Sequence, residues 1–412
     1  MAMALIVQKF GGTSVGDPDR IRRVARRVAD THRDGNEVIV VVSAMGKSTD
    51  ELIALAGDIS PNPPAREMDM LLTAGERISM ALVAMALDAE GVEAVSLTGS
   101  QAGILTDNEH GSAKITEIRG DRIRNSLDEG KVVIVAGFQG VSPVTKEVTT
   151  LGRGGSDATA VALAAAHNAE VCEIYTDVDG VYTADPRIVA SARKLDEVSY
   201  DEMLELASSG AGVLMARSVE VGRRYNIPIH VRSSFHTNPG TWVKETTMEQ
   251  AIVSGVAHDT SQAKVTVAAV PDTPGVAARL FEAMSGGRIN VDMIVQNVSS
   301  AGHTDISFTV PRTQGRQAQQ LAEGVGLELG SGPVDLNESI AKVSLVGAGM
   351  KSESGIAARV FRALADQQIN IDMISTSSIR ISCVVPESEV QNAVRTLVSL
   401  FDLEQVAEEV GA

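Results

Sequence analysis

Hydrophobic positions along the first 235 residues switch repeatedly between two periods, and each switch predicts a change of element. The apolar run at 5–7 reads as a strand. Asp17 and Pro18 then supply an N-cap and a first-turn proline, and Ile21, Val24, Ala25 and Val28 recur at helical spacing until Gly35 ends the segment. Residues 38–42, Val-Ile-Val-Val-Val, form an unbroken β-branched run, the pattern of a strand covered on both faces. Further strands are expected at 94–97, 132–135, 171–175 and 227–231, and helices near 64–89, 156–168, 199–208 and 211–225. Such alternation predicts an α/β/α sandwich around a mainly parallel sheet.

Past residue 235 the texture changes. Asn238-Pro-Gly240 marks a turn, and the polar stretch at 244–250 reads as a linker. The chain then repeats itself: residues 275–295 and 355–375 share 11 identities in 21 positions, at an offset of 355 − 275 = 80. Each copy opens with a strand (264–268; 342–346) and turns through a glycine into a helix. Two strands follow (291–298 and 304–310; 371–375 and 379–385), then a second helix (314–324; 387–401). That βαββα order is the order of a small ferredoxin-like unit, and two copies are too few for a solenoid. The expected organisation is one α/β domain over 1–245, a linker at 246–262, and two modules at 263–335 and 336–412.

Composition agrees and narrows the partners. A length of 412 residues suggests two to three domains at roughly 150 residues each. Aromatic residues are only 3 % of the chain, so the core has to be aliphatic. Against 53 acidic residues stand 36 lysines and arginines, a formal charge of −17, which argues against a nucleic-acid binder because phosphate backbones require clustered positive charge. The five arginines at 20, 22, 23, 26 and 27 lie opposite the apolar stripe of the first helix and read as a solvated face. Cys172 and Cys383 each sit in an apolar run, as buried thiols in a reducing compartment do. The apolar run before Lys9 is too short for a signal sequence, and no uninterrupted apolar stretch approaches the ~18 residues that span a bilayer, so a cytoplasmic protein without a membrane partner is expected.

Three glycine-containing loops carry the candidate chemistry. Lys9-Phe-Gly-Gly-Thr-Ser14 follows the first strand; its paired glycines let the backbone approach an anion, and the lysine adds a point charge. It lacks the spacing of a Walker A loop. Thr150-Leu-Gly-Arg-Gly-Gly-Ser-Asp157 enters an alanine-rich helix; Arg153 can fork onto a carboxylate, while Ser156 and Asp157 stand where residues also cap helices. The third, residues 175–187, holds Asp177, Asp179 and Asp185, but not the liganding glutamate of a calcium loop, and reads as a nucleotide-edge loop. Glu76 lies in a predicted helix, either as a solvated residue or at a site: Gly75 beside it costs a helix up to ~1 kcal/mol and implies close approach by something. The seven histidines fall outside these loops and read as surface or core residues. Gly347-Ala-Gly349 is not a dinucleotide fingerprint, because Ser352 stands where its third glycine belongs.

Taken in order, Lys9-Phe-Gly-Gly-Thr-Ser14, Thr73-Ala-Gly-Glu76, Gly152-Arg-Gly-Gly-Ser-Asp157 and the segment 176–187 resemble the aspartate kinases of the amino-acid kinase family, and the duplicated tail resembles their paired ACT domains. The resemblance spans nearly the whole chain. It implies phosphorylation of the L-aspartate β-carboxylate by ATP with Mg²⁺, with lysine or threonine, or both, as feedback effectors. By that resemblance Lys9 meets the transferring phosphoryl group, Phe10, Gly11 and Gly12 belong to the ATP site, and the two glycines donate N–H groups to phosphate. Ser43, Glu76, Arg153 and Ser156 hold aspartate, and Asp157 orients the lysine and the reacting groups. Thr176, Asp177, Tyr182 and Arg187 line the ATP site. Asp272, Gly275, Ala277, Asp292, Gln296, Asn370 and Ile371 are candidate effector contacts, although Asn290 and Asn370 also read as simple turn residues. The family further implies a homo-oligomer, or a complex with a shorter subunit starting near Met248. Two other readings stay open: a relative acting on a glutamate derivative, carbamate or a nucleotide, and an amino-acid sensor with an inactive kinase-like domain.

Overall fold

A computed structural model describes residues 4–246, 251–297 and 302–405. The chain forms two compact units. The first comprises Met1–Val181, Lys194–Ser208 and Gly212–Met248, the second Tyr182–Arg193, Ser209–Ala211 and Glu249–Ala412.

In the first unit an eight-stranded sheet is built around Leu5–Phe10, which pairs in parallel with Glu37–Val42 on one side and Val171–Thr176 on the other. Val132–Ala136 and Ala94–Leu97 extend the first side. Ile229–Ser233, Thr241–Lys244 and Glu197–Ser199 extend the second, and among the described strands of this sheet only the pair Ile229–Ser233 with Thr241–Lys244 is antiparallel. Val38 to Val42 are all fully covered, as their unbroken apolar run requires. Each such side chain is worth about 1.5–3 kcal/mol relative to exposure, so this run can only be a central strand. Asp17 caps Pro18–Arg33 by accepting from the Arg20 amide at 2.8 Å. The chain leaves the central strand toward Glu37–Val42 and returns later on its other flank. Crevices outside the carboxyl ends of strands at such a reversal are where open α/β sheets bind ligands.

Several expectations need correction here. Leu5–Phe10 includes Lys9 and Phe10, so the lysine closes the strand instead of following it. A second, four-stranded sheet of Ile104–Thr106, Ile115–Ile118, Gln139–Val141 and Val148–Thr150 was not foreseen; three or four residues are too few to display a period. Helix Ser48–Ile59 buries no side chain and therefore has no apolar stripe to read. The strand expected at 227–231 begins at Ile229, after Pro228, which has no N–H to give a ladder. Two of the five arginines are more than a solvated face: Arg20 donates to the Thr13 carbonyl, and Arg27 to those of Ser233 and His236.

In the second unit each module carries one four-stranded antiparallel sheet. The first runs Ile294–Gln296, His303–Pro311, Gln262–Pro271, Val334–Asn337; the second runs Met373–Thr376, Arg380–Pro386, Ile340–Val346, Gly255–Asp259. The outer strand Gly255–Asp259 occupies in the second module the place of Val334–Asn337 in the first, yet it precedes the first module in the chain. The expected linker is thus partly a strand of the second module, and the first module is inserted within the second. The two modules cross-brace through Lys264 with Asp372 at 3.0 Å and Lys342 with Asp292, over an apolar seam of Met293, Ile340, Met373 and Val384. Tyr182–Arg193 also belongs here, with Ala184, Val189 and Ala192 buried in the core of the second module. The 1–245 domain is therefore not one uninterrupted body. Met248 lies outside the described residues.

Candidate active site

Three parallel strands end together, and their last residues and following loops form one side of a cleft of about 720 Å³. Lys9 comes from Leu5–Phe10, Ser43 follows Glu37–Val42, and Thr176 ends Val171–Thr176; Gly11, Gly12, Glu76, Arg153, Ser156 and Asp157 line the same cleft. It lies wholly within the first unit. The structure thereby gathers residues from 9 to 176 that the sequence had offered as separate loops.

Lys9 and Asp157 meet at the cleft floor, with Nζ 2.5 Å from Oδ1 and both side chains largely buried. Asp157 reaches that place on helix Gly155–Ala166, whose N-cap is Gly154 at φ +71 with no side-chain cap bond. Ser156 and Asp157 therefore do not cap the helix. Gly154 disfavours any side chain: its φ is left-handed, and a Cβ there would lie 1.8 Å from Met215 Cγ, so Met215 would have to move. Gly12 is held as closely, since its Cβ would meet the Ala44 carbonyl at 2.8 Å. Gly11 departs from expectation, because its amide donates to the Tyr175 carbonyl at 3.2 Å and is not directed to a ligand. Phe10 is buried, stacked on Tyr175 with ring centroids 4.8 Å apart, and supports the floor from below.

The opposite wall is helix Ala65–Ala89. Its buried stripe begins polar (Asp69, Thr73, Glu76, Ser79) and ends apolar (Val83, Leu87), so the first half faces a site and the second half faces the core. By length and composition this helix could cross a membrane, yet its buried acids mark it as a core helix. Gly75 permits the approach its position implied: a Cβ would fall 2.6 Å from that of Ala44. At that contact Glu76 Oε1 accepts from the Ala44 amide at 3.1 Å, while Oε2 is buried without a hydrogen-bond partner. Burial, the dominant effect, pushes the Glu76 carboxyl up to about 7, only partly opposed by backbone N–H groups. A buried carboxylate oxygen with no donor is completed by a ligand that brings one, and an ammonium is the strongest available. Arg153 stands exposed at the mouth of the cleft, where it can meet a carboxylate.

Other expected residues lie elsewhere. Asp177 is exposed and accepts from the Thr176 hydroxyl at 3.1 Å. Tyr182 packs in the second unit's core, and Arg187 is spread over Asp185 with Nη2 to Oδ2 at 2.7 Å; neither lines the cleft. In the modules, Asp292 is paired with Lys342, and Asn370 donates to Asp372 at 3.2 Å. Gly275, at φ +96, caps Val276–Gly286 beside Asp272 and Ala277; Gln296 is exposed on its strand; Ile371 packs on the second module's core. Missed altogether were Asp69, Phe138 and Met215, all cleft-lining, and Thr150 was named only as the start of its loop, with no role. His110 is neither a plain surface nor a plain core residue, since its Nδ1 lies 2.6 Å from Asp69 Oδ2. An acid seven residues before Glu76, two turns away on the same face of an apolar helix, was the available signal for Asp69.

Comparison with known proteins agrees with this geometry. The amino acid kinase family matches residues 4–233, and the ACT domain matches twice, at 265–323 and 343–401. Aspartokinase of Mycolicibacterium smegmatis is 57 % identical over 407 residues, 97 % of each chain. The crystal structure of E. coli aspartokinase III in complex with aspartate and ADP (R-state) superposes with a TM-score of 0.84 at 28 % identity, covering 97 % of this chain and 100 % of that one. The complex of the same enzyme with lysine and aspartate (T-state) gives 0.74 at 28 %, covering 96 % and 99 %. With an amino acid kinase domain whose parallel strands end at a cleft and with two ACT modules, the chain belongs to the amino acid kinase family and, within it, to the aspartokinases.

Proposed function

We propose that the chain transfers the γ-phosphoryl group of ATP to the β-carboxylate of L-aspartate, giving 4-phospho-L-aspartate and ADP. The observation that carries this reading is the cleft's polarity: the Lys9–Asp157 pair at the floor, and the buried, half-satisfied Glu76 carboxylate on the wall. Glu76 takes the substrate ammonium, Arg153 its α-carboxylate, and Ser43 and Ser156 the remaining oxygens. The β-carboxylate, ionised at neutral pH, attacks without a general base. Phosphoryl transfer then asks for alignment and charge neutralisation, which Lys9 supplies while Asp157 fixes where its ammonium stands. Gly12 and Thr176 take the nucleotide's side of the cleft. Among the described residues no group of three or more His, Cys, Asp or Glu is arranged to hold a metal. Such a donor set fits a Mg²⁺ that arrives on the phosphates, with Asp157 as the adjacent carboxylate. When bound, such an ion would supply charge neutralisation for the transferring phosphoryl group.

Regulation by lysine, threonine or both through the ACT modules, and assembly into oligomers, follow as proposals from the same kinship; the E. coli T-state complex contains lysine. Two buried free thiols suit a cytoplasmic location. The test is direct: purified protein with MgATP and L-aspartate, the acyl phosphate trapped with hydroxylamine, and glutamate in parallel. Absence of aspartyl hydroxamate overturns the reading. Replacing Lys9 with Ala is expected to cut kcat at least a hundredfold, and near-parental turnover would remove Lys9 from its role.

A further inference from the structure

We propose that Asp69 is the positioning residue of the acceptor half of the cleft: it fixes the distance between the ammonium-binding wall and the loop that carries Arg153, and so helps to set the enzyme's selectivity for aspartate over the longer glutamate. This rests on the substrate assignment above.

Asp69 is fully buried, a position where a carboxylate survives only if its oxygens are satisfied. Its Oδ1 accepts the Thr150 hydroxyl at 2.5 Å and the Gly111 amide at 3.1 Å, and its Oδ2 lies 2.6 Å from His110 Nδ1 and 3.3 Å from the Gly111 amide. One side chain thus ties the long helix to the loop around Gly111 and to the last residue of Val148–Thr150. Arg153 follows Thr150 by three residues, and Glu76 follows Asp69 by two helical turns on the same face. None of these side-chain bonds is needed to make the helix, because each reaches a residue more than forty positions away in sequence.

Other contacts join the same two loops to each other; on the helix side Asp69 is their buried link, the other being the exposed Arg66–Glu147 pair at 2.9 Å. The Ala113 amide donates to the Thr150 carbonyl at 2.9 Å, and Arg217 spans the Leu151 and Ala113 carbonyls at 3.1 and 2.8 Å. Gly152 and Gly111 lie back to back, since a Cβ on Gly152 would meet the Gly111 carbonyl at 3.0 Å. These contacts brace the two loops against each other, and the carboxylate of Asp69 holds the braced pair at its distance from Glu76. An Asn in its place keeps the shape but has one acceptor oxygen instead of two: its NH₂ either faces the Thr150 hydroxyl and Gly111 amide or forces His110 Nδ1 to become an acceptor, and the charge that holds the bracket is lost in both cases.

The experiment compares the parent enzyme with Asp69→Asn and Thr150→Val by steady-state kinetics and thermal unfolding. Hydroxamate formation by the parent is judged first, so failure of the substrate assignment shows before any variant is made. For Asp69→Asn the expected result is a tenfold or greater rise in KM for aspartate, KM for ATP within twofold of the parent, and a smaller ratio of kcat/KM for aspartate over glutamate. Thr150→Val, which loses only the hydroxyl donor, should shift the same quantities in the same direction by less; if Asp69→Asn does not fold, this variant carries the test. An unchanged KM for aspartate overturns the proposal. A parallel change in both KM values, or lost stability with an unaltered aspartate-to-glutamate ratio, overturns it as well, because either is the signature of a merely structural residue.

Discussion

At the scale of single residues the strongest signal is Glu76, a carboxyl driven up to about 7 by burial. Its sign can be worked through. The folded-state value exceeds the ordinary 4.5, so the unliganded fold favours the protonated form. Stability is fully present below about pH 4.5 and lost as pH rises through 7, by something on the order of 3 kcal/mol. A substrate ammonium pairs with the charged form and offsets that loss. Aspartate should therefore raise the melting temperature more at pH 8 than at pH 6, and its KM should climb up to about tenfold per pH unit on the acid side of 7. Glu76→Gln should raise KM at pH 8 and abolish this acid limb; an acid limb that persists in the variant would assign the titration to another group. Glu76, Lys9 and Arg153 were legible because glycines beside them signalled close approach. Asp69 was not, because what makes it functional is a set of partners 41 to 81 residues distant.

Elements were legible in proportion to their length and to how far one face is buried. Val38 to Val42 and helix Ala65–Ala89 fall where the pattern put them, whereas the three- and four-residue strands of the small sheet have no period to detect. The long helix also shows how context reverses a propensity. An alanine replacing a glycine inside an exposed helix gains up to ~1 kcal/mol. Gly75→Ala should instead destabilise by about 1–3 kcal/mol, because its methyl would stand 2.6 Å from that of Ala44 and wedge the helix away from the strand end. The displaced Glu76 would lose the Ala44 amide, so KM for aspartate should rise together with the stability loss. Adding Ala44→Gly makes room for the methyl. The double variant should recover most of both quantities, and a double variant as impaired as Gly75→Ala would show that the contact is not the cause.

At the scale of the whole molecule the sequence offered a border that the structure does not respect. Modules were legible from their internal repeat, since 11 matched positions at constant offset record one packing solution used twice. Interleaving was not legible, because nothing local distinguishes a strand that serves the next module from one that serves none. Gly255–Asp259 completes the second module from ahead of the first. Tyr182–Arg193, taken from the middle of the 1–245 segment, sits in the second unit, where the Thr183 hydroxyl donates to the Leu403 carbonyl at 2.6 Å and the Val256 amide to the Thr183 carbonyl at 2.7 Å. Ala184, Val189 and Ala192 are at most 5 % exposed there. Cutting the chain after residue 245 would thus do more than remove regulation: it would strip the cover from these side chains and take from Thr183 its Leu403 and Val256 partners, leaving only its bonds to Arg193. A 1–245 fragment should bind a hydrophobic dye, melt lower than the full chain and give less aspartyl hydroxamate per mole. Supplying residues 246–412 as a separate polypeptide should restore stability and activity together. A fragment as stable and as active as the full chain, changed only in its response to lysine or threonine, would mean that the excursion is a passenger of the second unit and not part of what holds the catalytic segment in shape.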